Sequence, residues 1–193
     1  MDSRKRTFMA LEHREPDRLP IDFWATPAVC RLIESKRGKP HSQFLDDYDV
    51  DLRYIDGPAY IGPSLPEGTD IWGVARTTIP APSKGSTESY SEVTIAPLAG
   101  AETPADVEKY AHWPDPDSFD YSVIEKQCDA IRRKNRVVVF MGDRLNRIAQ
   151  LKPAMYLRGP ENILVDIAIN AEIAEAIFRK IREFYLVYLE RIL

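Results

Sequence analysis

The sequence predicts an α/β fold built on a parallel sheet. Three observations lead there. Apolar segments of strand length alternate with segments of helical period. Val137 to Met141 is apolar at five consecutive positions, the pattern of a strand covered on both faces. The strand-like segments also stop on acids and glycines, at Asp56-Gly57-Pro58 and at Gly142-Asp143-Arg144.

The elements follow in order. Residues 3 to 13 read as a helix with Ser3 as N-cap and Phe8 and Leu11 on a short apolar face. Glu15-Pro16-Asp17 forces a turn, and Leu19 to Trp24 reads as a first, buried strand that nevertheless contains Asp22. Thr26 and Pro27 start a second helix as cap and first residue. Val29, Leu32 and Ile33 supply its expected buried face, and Gly38 suits the left-handed residue beyond its end. A short helix from Ser42 to Asp47 leads to a second strand, in which Val50, Leu52 and Tyr54 alternate before Asp56.

Residues 57–100 carry repeated prolines and two β segments, "TDIWGVARTTI" and "ESYSEVTIA", around the turn-forming "PAPSKGST"; they are expected to form a β-hairpin insertion. Thr103 and Asp106, in capping-box spacing around Pro104, start a helix that "WPDPD" ends. Ser122 to Lys134 is a further helix with Ile124, Cys128 and Ile131 on one stripe, and Val137 to Met141 is the third strand. An irregular stretch broken by Pro153 follows. A helix then begins near Pro160, pauses at Asn170, and resumes with Ile173, Ile177, Ile181, Phe184, Tyr188 and Ile192 on one stripe.

With 193 residues and 44% hydrophobic content the chain can bury a core and reads as a single globular domain over 1–193. A net charge of -4 gives no footprint for nucleic acid or an anionic membrane, and "SRKR" and "IRRKNR" read as solvated helix faces. No apolar run approaches the ~20 residues that span a bilayer. Cys30 and Cys128 lie too far apart for a CxxC pair and suit small buried hydrophobes in a reducing, cytoplasmic setting. His13, His41 and His112 fall in no metal-ligand pattern. There is no GxSxG elbow and no glycine-rich phosphate loop, so hydride and phosphoryl transfer lose their usual signatures.

Parallel α/β folds place their sites where the C-terminal ends of strands meet their loops. The candidates there are Asp22 with the neighbouring Trp24, Asp56, Asp143 with Arg144, and Tyr156 with Arg158. Each has a plainer reading beside the functional one. Asp22 is either a solvent-side acid or a partner of Arg18. Asp56 serves turn chemistry before Gly57-Pro58. Asp143 and Arg144 form a local ion pair, and Arg158 caps a helix carbonyl.

The segments "REPDRLPIDFWA", "DLRYIDGPAYIGP", "DIWGV", "YAHWPDPDSFDYS" and "AMYLRGPENILVDIAIN" together resemble the N-terminal half of the uroporphyrinogen decarboxylase family. The resemblance implies a TIM barrel with a cleft at its strand C-terminal ends, in a family of porphyrinogen decarboxylases and corrinoid-dependent methyltransferases. It implies for Asp56 the role of the aspartate that accepts pyrrole N–H hydrogen bonds, and for Tyr156 that of a polar group near the reacting carboxylate. Asp22, Trp24, Asp143, Arg144 and Arg158 would line the substrate pocket.

One departure shapes the expectation. Where decarboxylases carry an arginine-rich glycine motif after the first strand, this chain reads "FWATPAVCR", and Arg31 is no replacement. A substrate with eight carboxylates needs bidentate arginine partners. The opening and "WPDPD" sit closer to the methyltransferase-like branch, where zinc held by His and Cys activates a thiol. Those ligands belong to the C-terminal half of the family, so the chain by itself is expected to bind no cofactor; zinc and a corrinoid protein belong to a full-length relative.

Because a closed eight-stranded barrel takes roughly 200 residues at least, and this chain supplies about three barrel strands, the expected fold is a partial TIM (β/α)8 barrel, truncated at the C-terminus. Self-association or a second chain would complete it. The expected chemistry is corrinoid-dependent methyl transfer on a small molecule. The alternatives are a carboxy-lyase of porphyrin biosynthesis and a non-catalytic half-barrel binding or assembly module, and the chain alone is expected to be inactive.

Overall fold

The computed structural model describes residues 1–80, 89–142 and 149–193. Helices and strands are interspersed along the chain, so the mixed α/β class holds. The chain divides into two compact units, Met1–Gly57 with Ser122–Met141 and Pro58–Tyr121 with Gly142–Leu193. None of the helices among the described residues is long and apolar enough to cross a membrane.

In the first unit, helix α1 (Ser3–Leu11) is capped by Asp2, whose side chain accepts from the Lys5 N–H at 2.8 Å. Ser3, the expected cap, is buried instead, and its hydroxyl donates to Asp51. Helix α2 (Pro27–Arg37) begins and ends as its sequence predicts. Thr26 caps it, Pro27 occupies its first position, and Gly38 closes it at φ 64° with its N–H on the Glu34 carbonyl. Its apolar face is not buried, however: Val29 is 41% and Leu32 55% exposed. Helix α3 (His41–Asp47) packs against α2 and places Phe44 edge-on to Phe23, with ring centroids 5.0 Å apart.

Strand β1 (Leu52–Tyr54) pairs in parallel with β6 (Val137–Val139), Leu52 opposite Val137 and Tyr54 opposite Val139. Val137 to Val139 are half-buried, so the double-sided cover expected of this strand is only partial. The expected first strand is a larger departure. Residues 19–24 make no regular ladder and are not the buried strand expected, since Leu19, Ile21 and Trp24 are exposed. The Ile21 carbonyl accepts from the Asp51 and Leu52 N–H groups at 2.8 and 3.4 Å, while the Ile21 N–H goes to the Asp51 carboxylate at 2.7 Å. A side chain has taken the donor that a ladder needs, and Pro20 beside it has none to give. Helix α5 (Val123–Arg132) buries Ile124 and Cys128 as its stripe predicts.

The second unit contains the short antiparallel pair β2 (Ala59–Tyr60) with β5 (Phe119–Asp120), and the antiparallel pair β3 (Ala75–Pro80) with β4 (Ser89–Ile95). The β3–β4 pair is the expected hairpin; residues 81–88, which hold most of "PAPSKGST", lie outside the described residues. In helix α4 (Pro104–Glu108) the Asp106 carboxylate accepts from the Thr103 N–H and hydroxyl, both at 2.9 Å, which completes the predicted start.

Helix α6 (Leu151–Arg158) occupies the stretch expected to be irregular. Pro153 does not break it because it sits in the first turn, where a backbone N–H has no intrahelical acceptor to lose. Helices α7 (Pro160–Ile169) and α8 (Ala171–Glu190) follow the predicted break at Asn170. Ile173, Ile177, Ile181 and Phe184 of α8 are buried with Trp72, Val74, Val107, Leu157 and Ile163 in the core of this unit. Each buried Ile or Leu contributes ~1.5–3 kcal/mol of apolar transfer free energy, so the α8 stripe is the main anchor of the unit.

Candidate functional site

Of the residues singled out by sequence, Asp22, Trp24 and Asp56 lie in the first unit and Tyr156 and Arg158 in the second. Asp143 and Arg144 lie outside the described residues.

In the first unit, contacts between residues 21–22 and β1 advance in the same direction along both segments. Ile21 meets Asp51 and Leu52, and Asp22 then meets Tyr54, whose hydroxyl donates to the Asp22 carboxylate at 2.6 Å. That length is typical of a charge-assisted O–H···O bond. The 19–24 segment thus lies beside the start of β1, which pairs in parallel with β6 on its other side. Tyr54 ends β1, and Asp56 follows two residues beyond it. Trp24 is 44% exposed at the same end of its segment.

Asp56 is held by its backbone and open at its side chain. Its N–H and that of Gly57 donate to Gln127 Oε1 at 2.8 and 3.1 Å, and Gln127 Nε2 donates to the Gly57 carbonyl at 2.8 Å. One amide from α5 thus satisfies three backbone groups of the loop beyond β1. Gly57 sits at φ 86°, and a Cβ there would strike the Phe140 ring. The Asp56 carboxylate is exposed and has no hydrogen bond or ion pair among the described residues. It is an acceptor on a fixed backbone, able to take N–H donors from a ligand.

Sequence reasoning missed the strongest polar cluster of this unit. Asp51 has 0% exposure and accepts from the Ser3 hydroxyl, from Arg6 at 2.5 Å, from Arg18 at 2.6 Å and from the Ile21 N–H at 2.7 Å. Burial opposes ionisation of its carboxyl, yet those four donors outweigh burial and hold the pKa down to about 2. Arg6 also grips Asp17 at 2.6 Å, and Arg18 reaches Asp49 at 2.7 Å. "SRKR" is therefore not wholly a solvated face, because Arg6 is buried. Arg18 pairs with Asp51 and Asp49 and leaves Asp22 to Tyr54. The available signal was the "DVDLR" alternation, which puts a second acid, Asp51, one residue into a strand next to two upstream arginines.

In the second unit, Tyr156 on α6 lies beneath Arg76, whose guanidinium carbon is 4.3 Å from the ring centroid, with Lys152 Nζ at 5.7 Å. Arg76 is anchored by Asp70 at 3.1 Å. Tyr156, Met155, Arg76 and Val93 line a cleft of about 430 Å3, and the Tyr156 hydroxyl has no hydrogen-bond partner among the described residues. Arg158 turns away from ligand chemistry. It is buried, its Nε donates to Asp166 at 2.7 Å, and its Nη1 donates to the Leu98 and Ala99 carbonyls at 2.8 Å. The two carbonyls that Arg158 holds belong to a turn and not to a helix, so it caps no helix, and its guanidinium is occupied within the fold.

Among the described residues no group of three or more His, Cys, Asp or Glu side chains is placed to hold a metal ion. No protein-family model matches the chain, and neither a curated protein nor a solved structure matches it.

Proposed function

We propose that the chain is the N-terminal part of a (β/α)8-barrel enzyme of the uroporphyrinogen decarboxylase family, closer to its methyltransferase-like branch, and binds a small molecule at the C-terminal ends of its first strands. One observation carries the reading. β1 and β6 form a parallel pair, an open acid, Asp56, stands just beyond the C-terminal end of β1, and Tyr54 at that end holds a second acid, Asp22. Active sites of parallel α/β folds form at such ends.

In this reading Asp56 collects N–H donors of the ligand, Tyr54 orients the Asp22 side chain, and Trp24 supplies an exposed apolar face. The chemistry that fits is methyl transfer on a small molecule, delivered through a separate corrinoid protein. A tetrapyrrole carboxy-lyase is the second reading. The open Asp56 carboxylate favours it, and the absence of arginines in "FWATPA" counts against it.

Calorimetric titration of the chain with methylcobalamin and, separately, with uroporphyrin tests both readings. Saturable binding of the corrinoid supports the first, and of uroporphyrin the second. In either case Asp56→Asn should weaken binding about tenfold, ~1.4 kcal/mol. Absence of binding by both probes, or binding that Asp56→Asn and Asp22→Asn leave unchanged, overturns the proposal.

A further inference from the structure

A cleft in the second unit has a composition that the reading above does not use. It has a volume of about 630 Å3, within the range of small-molecule sites. Tyr60, Ile71 and Trp113 form its apolar walls, His112 lies on its lining, and its two formally charged lining residues are both acids, Asp70 and Asp115. Neither lysine nor arginine is found among its described lining residues. We infer that this cleft binds a small organic cation, an ammonium or guanidinium group on an alkyl or aryl body.

The aromatic walls are fixed before any ligand arrives. Trp113 Nε1 donates to the Val107 carbonyl at 3.0 Å, and its ring stands edge-to-face with Tyr110 and with Trp72 at 5.5 and 6.3 Å. Tyr60 donates its hydroxyl to the Pro63 carbonyl at 3.0 Å and meets Phe119 edge-on at 5.5 Å. Rings held this way offer their faces without losing rotamer freedom on binding, and an aromatic face attracts a cation through its quadrupole.

The two acids divide the remaining work. Asp70 Oδ1 accepts from the Trp72 and Val74 N–H groups at 2.9 and 3.1 Å, and its Oδ2 takes Arg76, so its charge is already compensated. Asp115 is exposed; its Oδ1 accepts from the Asp117 N–H at 2.9 Å, while its Oδ2 has no partner among the described residues. Asp115 is thus the uncompensated negative charge of the cleft. An anion would meet that carboxylate and the negative ring faces together. A neutral apolar ligand would gain nothing from Asp115.

Choline and its neutral isostere 3,3-dimethylbutan-1-ol separate these cases, titrated into the whole chain and read by chemical-shift changes. Choline should saturate in the millimolar range, about fivefold or more tighter than the alcohol, with a salt-dependent affinity. Tyr60→Leu and Asp115→Asn should each weaken choline about threefold or more, and Asp115→Asn should remove most of the salt dependence. Asp115→Asn retains an oxygen for the Asp117 N–H, so it reports even if Tyr60→Leu disturbs folding. Equal affinity for the two probes, no saturable choline binding, or choline binding indifferent to Asp115→Asn overturns the inference.

Discussion

Asp51 brings together four donors from α1, from the segment before α2 and from the backbone at Ile21, and its first consequence is for stability. Removing its charge leaves Arg6, itself buried, without its innermost partner. Asp51→Asn is therefore expected to destabilise the first unit by ~3–5 kcal/mol in urea unfolding, far beyond the ~1 kcal/mol of an exposed pair. The pH dependence has a definite sign. A carboxyl held at about 2 in the fold, against 3.8 for a free one, contributes its full stabilisation above pH ~4 and loses it as pH falls toward 2. An acid titration by circular dichroism should show a smaller loss in Asp51→Asn than in the native chain, the remainder coming from other ion-paired acids such as Asp17 and Asp49. Tyr110 gives the opposite sign. Burial first, and then the charge of Asp70, push its phenol up to about 12, so its stabilisation is present below pH ~10 and fades as pH rises through 12. Its hydroxyl donates to the Trp72 carbonyl at 2.7 Å, and Tyr110→Phe should cost ~1 kcal/mol while abolishing that alkaline dependence.

Among the elements, those whose stability is local were legible. The start of α2 at Thr26-Pro27 and its end at Gly38, the Thr103–Asp106 pair, and the stripe of α8 all depend on residues within a turn or two of each other. The stripe makes a quantitative prediction. Ile177→Ala should destabilise the second unit by ~2–5 kcal/mol, because Ile177 has 0% exposure in the α8 core, whereas the same change at Ile169, 82% exposed, should cost less than ~0.5 kcal/mol. The loop beyond β1 depends on Gly57 and Gln127. Gly57→Ala places a methyl against Phe140 at a positive φ and is expected to cost more than ~1 kcal/mol, measured by thermal unfolding. Residues 19–24 and α6 were misread for one reason, since each hinges on where a backbone N–H goes. The Ile21 N–H goes to a carboxylate thirty residues away, and Pro153 stands where no N–H is needed.

For the whole molecule, exposed apolar side chains are the consequential feature. Leu19, Val29 and Leu32 in the first unit, and Leu164, Val165, Ile167 and Ile169 on α7 in the second, are all exposed. Apolar surface of this kind favours association, so sedimentation velocity should show weight-average mass rising with concentration; a single monomer species across the range would contradict this. The candidate sites were legible only in part. Asp56 was found by its place after a strand, and the structure leaves its carboxylate open. Arg158 stood in an equally suggestive position, yet Asp166 and two carbonyls hold it. The sequence alone determined the α/β class, the limits of α2, the start of α4, the break at Asn170 and the parallel character of β1 and β6, because caps, proline positions and hydrophobic period act over a few residues. Only the tertiary structure decided which charges face each other. Arg18 joined Asp51 and left Asp22 to Tyr54, because the energy of a polar group depends on partners tens of residues away and on the water removed between them.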